Sequence, residues 1–300
     1  MNPHQSRNRV LVVATLALIA LVVFTGCDDK KKTPAATATT AATAVATNTP
    51  ATSGTPPDIS GVPELQDGTL TIGSDIAYAP IEFYQPGTEI ADGLDVDLAE
   101  AIAAYLGVDV EFVNSGFDGL IAALNTDEFD IVMSAMTISE ERSQEVDFVP
   151  YLNVGTGILV EAGNPNGIQA LDDLCGLTVA VQLGTVQETL VRTQSDACTD
   201  AIDVVTFDTN PLAVEDLRTG GADANLSDYP VAYLDAQESD GALEVLTVQL
   251  DPAPYGIALR QDSDALQAIL EQALQALISS GEYQQILADW NLESAALPRD

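Results

Sequence analysis

Phe117 to Tyr151 reads FDGLIAALNTDEFDIVMSAMTISEERSQEVDFVPY. Within it, Phe117 to Asn125 has the apolar spacing of a short helix, and Asp130 to Met133 is a compact run of strand type. Ser139 followed by Glu140-Glu141 has the hydroxyl-then-acid order of a helix start. Helix and strand signals in such close succession predict an α/β fold.

The alternation extends in both directions. Upstream, Leu70-Thr71-Ile72-Gly73 is a strand, Leu94 to Leu106 sets Leu94, Leu98, Ile102 and Tyr105 along one helical face before Gly107, and Val108 to Val113 is a strand. Downstream come strand Leu177 to Gln182, helix Thr185 to Arg192, strand Ile202 to Phe207, helix Pro211 to Arg218, strand Ala222 to Leu226 and helix Tyr229 to Ala236. Strands Leu243 to Gln249 and Tyr255 to Leu259 and helices Ser263 to Ser279 and Glu282 to Trp290 close the pattern. Two similar extended segments, Gly157-Ile158-Leu159-Val160 and Gly256-Ile257-Ala258-Leu259, bracket the second set. If they are paired crossings, lobe 2 (158–257) is inserted into lobe 1 (65–157 and 258–300). The cleft between two such lobes is where a small ligand binds.

The charge balance excludes several partners. The chain has 10 Lys plus Arg against 46 Asp plus Glu, and no lysine after Lys32. From Asp58 onward 44 acids face five arginines, a net charge of −39. Nucleic acid and anionic lipid surfaces would be repelled. His4, the single histidine, lies in a segment read below as removed. Histidine-dependent triads, His-ligated zinc and histidine pH switching are thereby excluded for the mature chain.

Residues 1–27 have the order of a bacterial export signal: Arg7 and Arg9, an apolar run Val10 to Phe24, then Thr25-Gly26-Cys27. The ending resembles a lipoprotein cleavage box, with Cys27 as the lipidated residue, although Phe24 departs from the usual leucine. An uncleaved N-terminal anchor is the other reading, and both hold the rest of the chain outside the cytoplasm. Residues 28–64 are mostly Thr, Ala, Pro, Ser and Gly after the Lys30-Lys31-Lys32 run, a composition that cannot bury a core and reads as a disordered tether. Cys175 and Cys198, alone in an oxidising compartment, suggest a disulfide.

The folded part, about Leu65 to Leu292, resembles the family 3 extracellular solute-binding proteins, the amino-acid receptors of ABC importers. The match is carried in order by TIGSDIAYAPIEF (Thr71–Phe83), GLDVDLAEAIAA (Gly93–Ala104), the opening stretch, LDDLCGLTVAVQLGTVQE (Leu171–Glu188) and Gly281 to Trp290. The resemblance implies a periplasmic-binding-protein fold: two α/β lobes joined by two crossing strands, with the ligand cleft between them.

It also implies roles. Arg142, after the T-I-S-x-x-R turn, would grip the ligand α-carboxylate with its guanidinium fork. A surface arginine paired with Glu140 or Glu145 is the alternative. Ser134, Ala135 and Thr137 match the ligand-facing turn, and Phe117 heads the FDGL turn beside it. Thr185 and Val186 stand in the G-T-x loop entering a helix, whose free N–H groups suit an anion. Asp228 aligns with the carboxylate that receives the α-ammonium, and would serve equally as N-cap of the helix at Tyr229-Pro230. Asp75 and Tyr78 match positions meeting the ligand side chain, and Gln182 falls where some relatives carry lysine. A cationic amino acid is preferred over glutamine, because Asp75 has no lysine to neutralise it.

The function implied is that of a monomeric, lipid-anchored receptor that delivers a free polar amino acid to an ABC permease, with no catalytic residue, cofactor or metal. Two alternatives stand beside it: a cyclohexadienyl dehydratase-like enzyme, and a sensor that docks on a signalling protein.

Overall fold

The computed structural model describes residues 56–297. The export segment, Cys27 and the tether up to residue 55 lie outside the described residues. The chain is packed from Ile59 onward: Val62 and Leu65 are core residues, and the Ser263 hydroxyl donates to Glu64 at 2.6 Å.

The strands and helices alternate as β1 (Thr69–Ser74), β2 (Ala77–Tyr78), β3 (Glu82–Tyr84), β4 (Ala91–Asp92), α1 (Leu94–Leu106), β5 (Asp109–Asn114), α2 (Leu120–Leu124) and β6 (Ile131–Val132). They continue as β7 (Asp147–Glu161), β8 (Thr178–Gln182), α3 (Val186–Ala197), β9 (Asp203–Phe207), α4 (Asn210–Arg218), β10 (Ala224–Asp228) and α5 (Tyr229–Glu238). Last come β11 (Leu243–Val245), β12 (Leu250–Leu259), α6 (Asp264–Ser280) and α7 (Glu282–Asp289).

The main sheet runs β5-β1-β6-β12-β7-β10-β8-β9, with β11 beside β7. Parallel pairs β1/β5 and β1/β6 lie on one side, and parallel pairs β8/β9 and β8/β10 on the other. Between them the two long strands β7 and β12 run antiparallel, from Leu250↔Thr156 to Leu259↔Asp147. The segments Gly157–Val160 and Gly256–Leu259 belong to these strands but do not face each other. Gly157–Val160 pairs with β10, and Gly256–Leu259 with 147–150.

Strand alternation sorts the core. Ile158 and Val160 face one cluster with Val179, Val181 and Val191, while Leu159 and Ala180 face another with Ala213 and Leu217. On the β1 side, Leu70, Ile72 and Ile257 pack with Leu98, Ile102 and Leu270, and Ala258 turns to Phe129 and Val132. A sheet covered on both faces explains why these strands read as continuous apolar runs.

α3 runs on to Ala197 and β12 begins at Leu250, both longer than expected, and three elements fall short. The helix start at Ser139 becomes one 3₁₀ turn, Arg142–Gln144, because the chain enters β7 at Asp147; the Ser139 hydroxyl still accepts from Arg142 N–H at 3.2 Å. Phe117–Gly119 is a 3₁₀ turn ahead of α2, not part of one helix. The strand expected to Gln249 stops at Val245, because β11 and β12 share one edge of β7 and residues 246–249 link them.

Candidate functional site

The carboxyl ends of parallel strands carry the chemistry. Asp75 follows β1, Ser134–Thr137 follows β6, Gln182 ends β8, and Asp228 ends β10. Ligand crevices of α/β sheets lie outside such ends, where loops and helix N-termini expose polar groups. All eleven residues singled out from the sequence line one cavity here, together with Glu82 and Gln187.

Its walls stand close, leaving about 10 Å³ free, about enough for a single water. Polar groups from the two sides of the sheet meet across it. Gln182 donates through Nε2 to Asp75 Oδ2 at 2.6 Å. The Tyr78 hydroxyl donates to Asp228 Oδ2 at 2.9 Å and accepts from Asp228 N–H at 2.9 Å. Arg142 donates from Nη1 to the Thr137 carbonyl at 2.6 Å and from Nη2 to the Gly184 carbonyl at 3.0 Å, with its guanidinium 5.3 Å from the Phe117 ring centre. Gly184, at φ +78°, lets this contact form: a Cβ there would stand 2.9 Å from Asp118 Cβ.

These contacts show which of the pairings read from sequence are made. Arg142 makes no ion pair with Glu140 or Glu145. Among the described arginines the other three are salt-bridged, Arg192 and Arg218 at the surface and Arg260 in a largely buried pair with Glu64. Asp228 holds the backbone N-cap position of α5, but its carboxylate makes no cap hydrogen bond and accepts instead from Tyr78 and from Gln187 Nε2 at 3.0 Å. Thr185 caps α3, its hydroxyl accepting from Glu188 N–H at 3.1 Å. The Gly184 N–H is not free for an anion, since it donates to Glu188 Oε2 at 2.8 Å. Ser134 Oγ is engaged too, accepting from Asp75 N–H and donating to Glu82. Cys175 and Cys198 are bonded, with Cα atoms 5.6 Å apart.

Sequence reading missed Glu82 and Gln187. Glu82 gave a signal, an acid inside the apolar run Pro80-Ile81-Glu82-Phe83. Gln187 gave none beyond its place next to the G-T-V loop.

Burial dominates the electrostatics. It raises Asp75 to about 6, eased by the Gln182 hydrogen bond and reinforced by the Asp118 charge. It raises Asp228 to about 6 as well, with hydrogen bonds from Tyr78 and Gln187 and the Arg142 charge opposing. Desolvation conversely lowers Arg142 from its usual range. A carboxyl raised on folding contributes stability that is complete below its unfolded value near 4 and is lost as pH rises through about 6. The ligand-free melting temperature is therefore expected to climb by about 5 °C between pH 8 and pH 5, measured by calorimetry in one ionic strength. A flat or falling profile would contradict it.

A model of the bacterial extracellular solute-binding proteins, family 3, matches residues 70–293. The arginine-binding protein ArgT of Corynebacterium glutamicum is 34% identical over 243 residues, 79% of this chain and 79% of that protein. The L-cystine-binding protein TcyJ of Escherichia coli K12 is 32% identical over 224 residues, 74% of this chain and 82% of that protein. Among solved structures, the ancestral amino acid-binding protein AncCDT-1, a precursor of cyclohexadienyl dehydratase, superposes with a TM-score of 0.70 at 37% identity, covering 75% of this chain and 96% of that one.

Proposed function

The chain belongs to the bacterial extracellular solute-binding proteins of family 3, and we propose that it captures a free basic amino acid and hands it to an ABC permease. Lobe 1 (65–157 and 258–300) and lobe 2 (158–257) close on the ligand about β7 and β12, and a lipid on Cys27 holds the receptor, a monomer, at the outer face of the membrane. Arg142 takes the α-carboxylate, Asp228 the α-ammonium, and Asp75 with Tyr78 and Gln182 reads the side chain.

The observation that carries this reading is the charge of the cavity: Asp75, Glu82 and Asp228 line it against the single guanidinium of Arg142. A zwitterion satisfies Arg142 and Asp228 and leaves Asp75 buried without a cation. A side-chain cation supplies it. Glutamine is the second reading, because the Gln182 amide already makes with Asp75 the contact that a ligand amide would make.

A thermal-shift panel of the twenty amino acids with ornithine and citrulline selects the ligand, since whatever binds only the native state raises its melting temperature. Asp75→Asn is expected to weaken arginine, lysine or ornithine about tenfold to a hundredfold and glutamine far less. Leucine or glutamate as best ligand, with Asp75→Asn indifferent, would overturn the side-chain assignment. The curated relatives are binding proteins. In keeping with that, prephenate and arogenate incubated with this protein are expected to give no aromatic product.

A further inference from the structure

Two buried carboxyl oxygens, Oε2 of the cavity-lining Glu82 and Oδ1 of Asp95, have no hydrogen-bond partner among the described residues. Glu82 is 1% exposed and Asp95 not at all. Their backbones meet where the first turn of α1 docks on the turn between β2 and β3: Asp95 N–H donates to the Ile81 carbonyl at 2.9 Å, and Leu94 N–H to the Pro80 carbonyl at 3.1 Å.

The remaining oxygens hold the turn that lines the cavity. Glu82 Oε1 accepts from the Ser134 hydroxyl at 2.9 Å, and that hydroxyl accepts from Asp75 N–H at 3.0 Å. Asp95 Oδ2 accepts from Ala135 N–H at 3.0 Å and from the Tyr151 hydroxyl at 2.8 Å. Ala135 sits at φ +46°, a conformation that a residue with a Cβ adopts only when its surroundings enforce it.

The groups facing the pair from neighbouring elements are Asp75 after β1, Tyr78 on β2, Tyr151 on β7 and Asp228 on β10. None is a cation. Arg142 is held by the Thr137 and Gly184 carbonyls and acts on Asp228. Two adjacent anions at this depth would be severely destabilising. One proton between the two unpartnered oxygens makes one carboxyl a donor and leaves the other an acceptor, which satisfies both.

We propose that Glu82 and Asp95 hold one proton between them and act together as the positioning pair of the Ser134–Ala135 turn. Burial pushes both carboxyls up, with the neighbouring Asp95 charge adding to the shift at Glu82, which is the direction a retained proton requires.

The test uses infrared difference spectroscopy of the full chain in heavy water at about pH 8, where ordinary carboxyls are ionised. The wild type is expected to show a carboxylic-acid C=O band that both Glu82→Gln and Asp95→Asn abolish, because either amide supplies the bridging donor and leaves its partner ionised. No band in the wild type, or a band surviving in either variant, overturns the shared proton. Amide exchange read by NMR tests the positioning: Ala135 N–H should exchange at least tenfold faster in Asp95→Ala and regain protection in Asp95→Asn. Unchanged exchange overturns that role. Should Asp95→Ala not fold, Glu82→Ala and Glu82→Gln read through Asp75 N–H, which donates to the Ser134 hydroxyl that Glu82 holds, give the same comparison. Because the turn lines the amino-acid site, this role rests on the proposed function only in its consequence: Glu82→Ala should weaken L-arginine about tenfold, with Glu82→Gln recovering most of the loss. If L-arginine does not bind the wild type, the ligand reading fails, while the infrared and exchange results still decide the pair.

Discussion

Replacing Arg142 by alanine is expected to cut affinity for the cognate amino acid a hundredfold or more, on the order of 3 kcal/mol. The guanidinium is the single cation of a cavity that also holds Asp75, Glu82 and Asp228. Its removal leaves the ligand carboxylate unpaired beside three acidic groups. It also deletes the donors that reach the Thr137 and Gly184 carbonyls from one side chain, so part of the loss reflects a weaker clasp between β6 and β8. Lysine should restore little. An ammonium is a point charge that cannot present two parallel N–H groups, and it lacks the planar guanidinium whose central carbon stands over the Phe117 ring at 5.3 Å from its centre. Calorimetry with the ligand chosen by the thermal-shift panel measures both variants, and near-normal binding by Arg142→Ala would remove the firmest point of the site assignment.

The Cys175→Ser/Cys198→Ser double variant is expected to lose about 3 kcal/mol of stability, because the bond closes a loop with a sequence separation of 23. For a chain of this size the loss corresponds to a melting temperature lowered on the order of 5–10 °C. Affinity should hardly change. Cys198 ends α3, whose opposite end carries Thr185, Val186 and Gln187 into the cavity. Twelve helical residues separate the bond from the site by about 18 Å. Cys175 precedes β8, so the bond ties the end of α3 to the start of the strand on which that helix packs. Unchanged melting of the double variant, or two free thiols in a non-reduced digest, would refute the role.

The elements most legible from residues are those whose signals are local. α1 runs from Leu94 to Leu106 as its apolar spacing predicts, with acids in its first turn and Gly107 at φ +76° behind it. The order of the second α/β set was similarly legible, because sheet-buried valines, the Thr185 cap of α3 and the prolines opening α4 and α5 are written in neighbouring residues. The 3₁₀ turn at Arg142–Gln144 and the early end of β11 were not, because each depends on where β7 passes, far away in the chain.

The site divides the same way. Family-like motifs in the sequence marked Arg142, Asp75 and Asp228 as candidate contacts, since each motif is contiguous. What occupies each group was decided by tertiary structure alone. Asp228 was equally a cap or a cavity carboxylate until Tyr78, 150 positions away, was seen to hold it. Gln182 became the partner of Asp75 across 107 positions, and Glu82 and Asp95 met only because α1 docks on the turn before Glu82. Amino-acid order determines local periodicity, caps and charge, which are properties of neighbours. Desolvation and hydrogen-bond partnership arise when distant segments exclude water together, so they exist only in the folded chain.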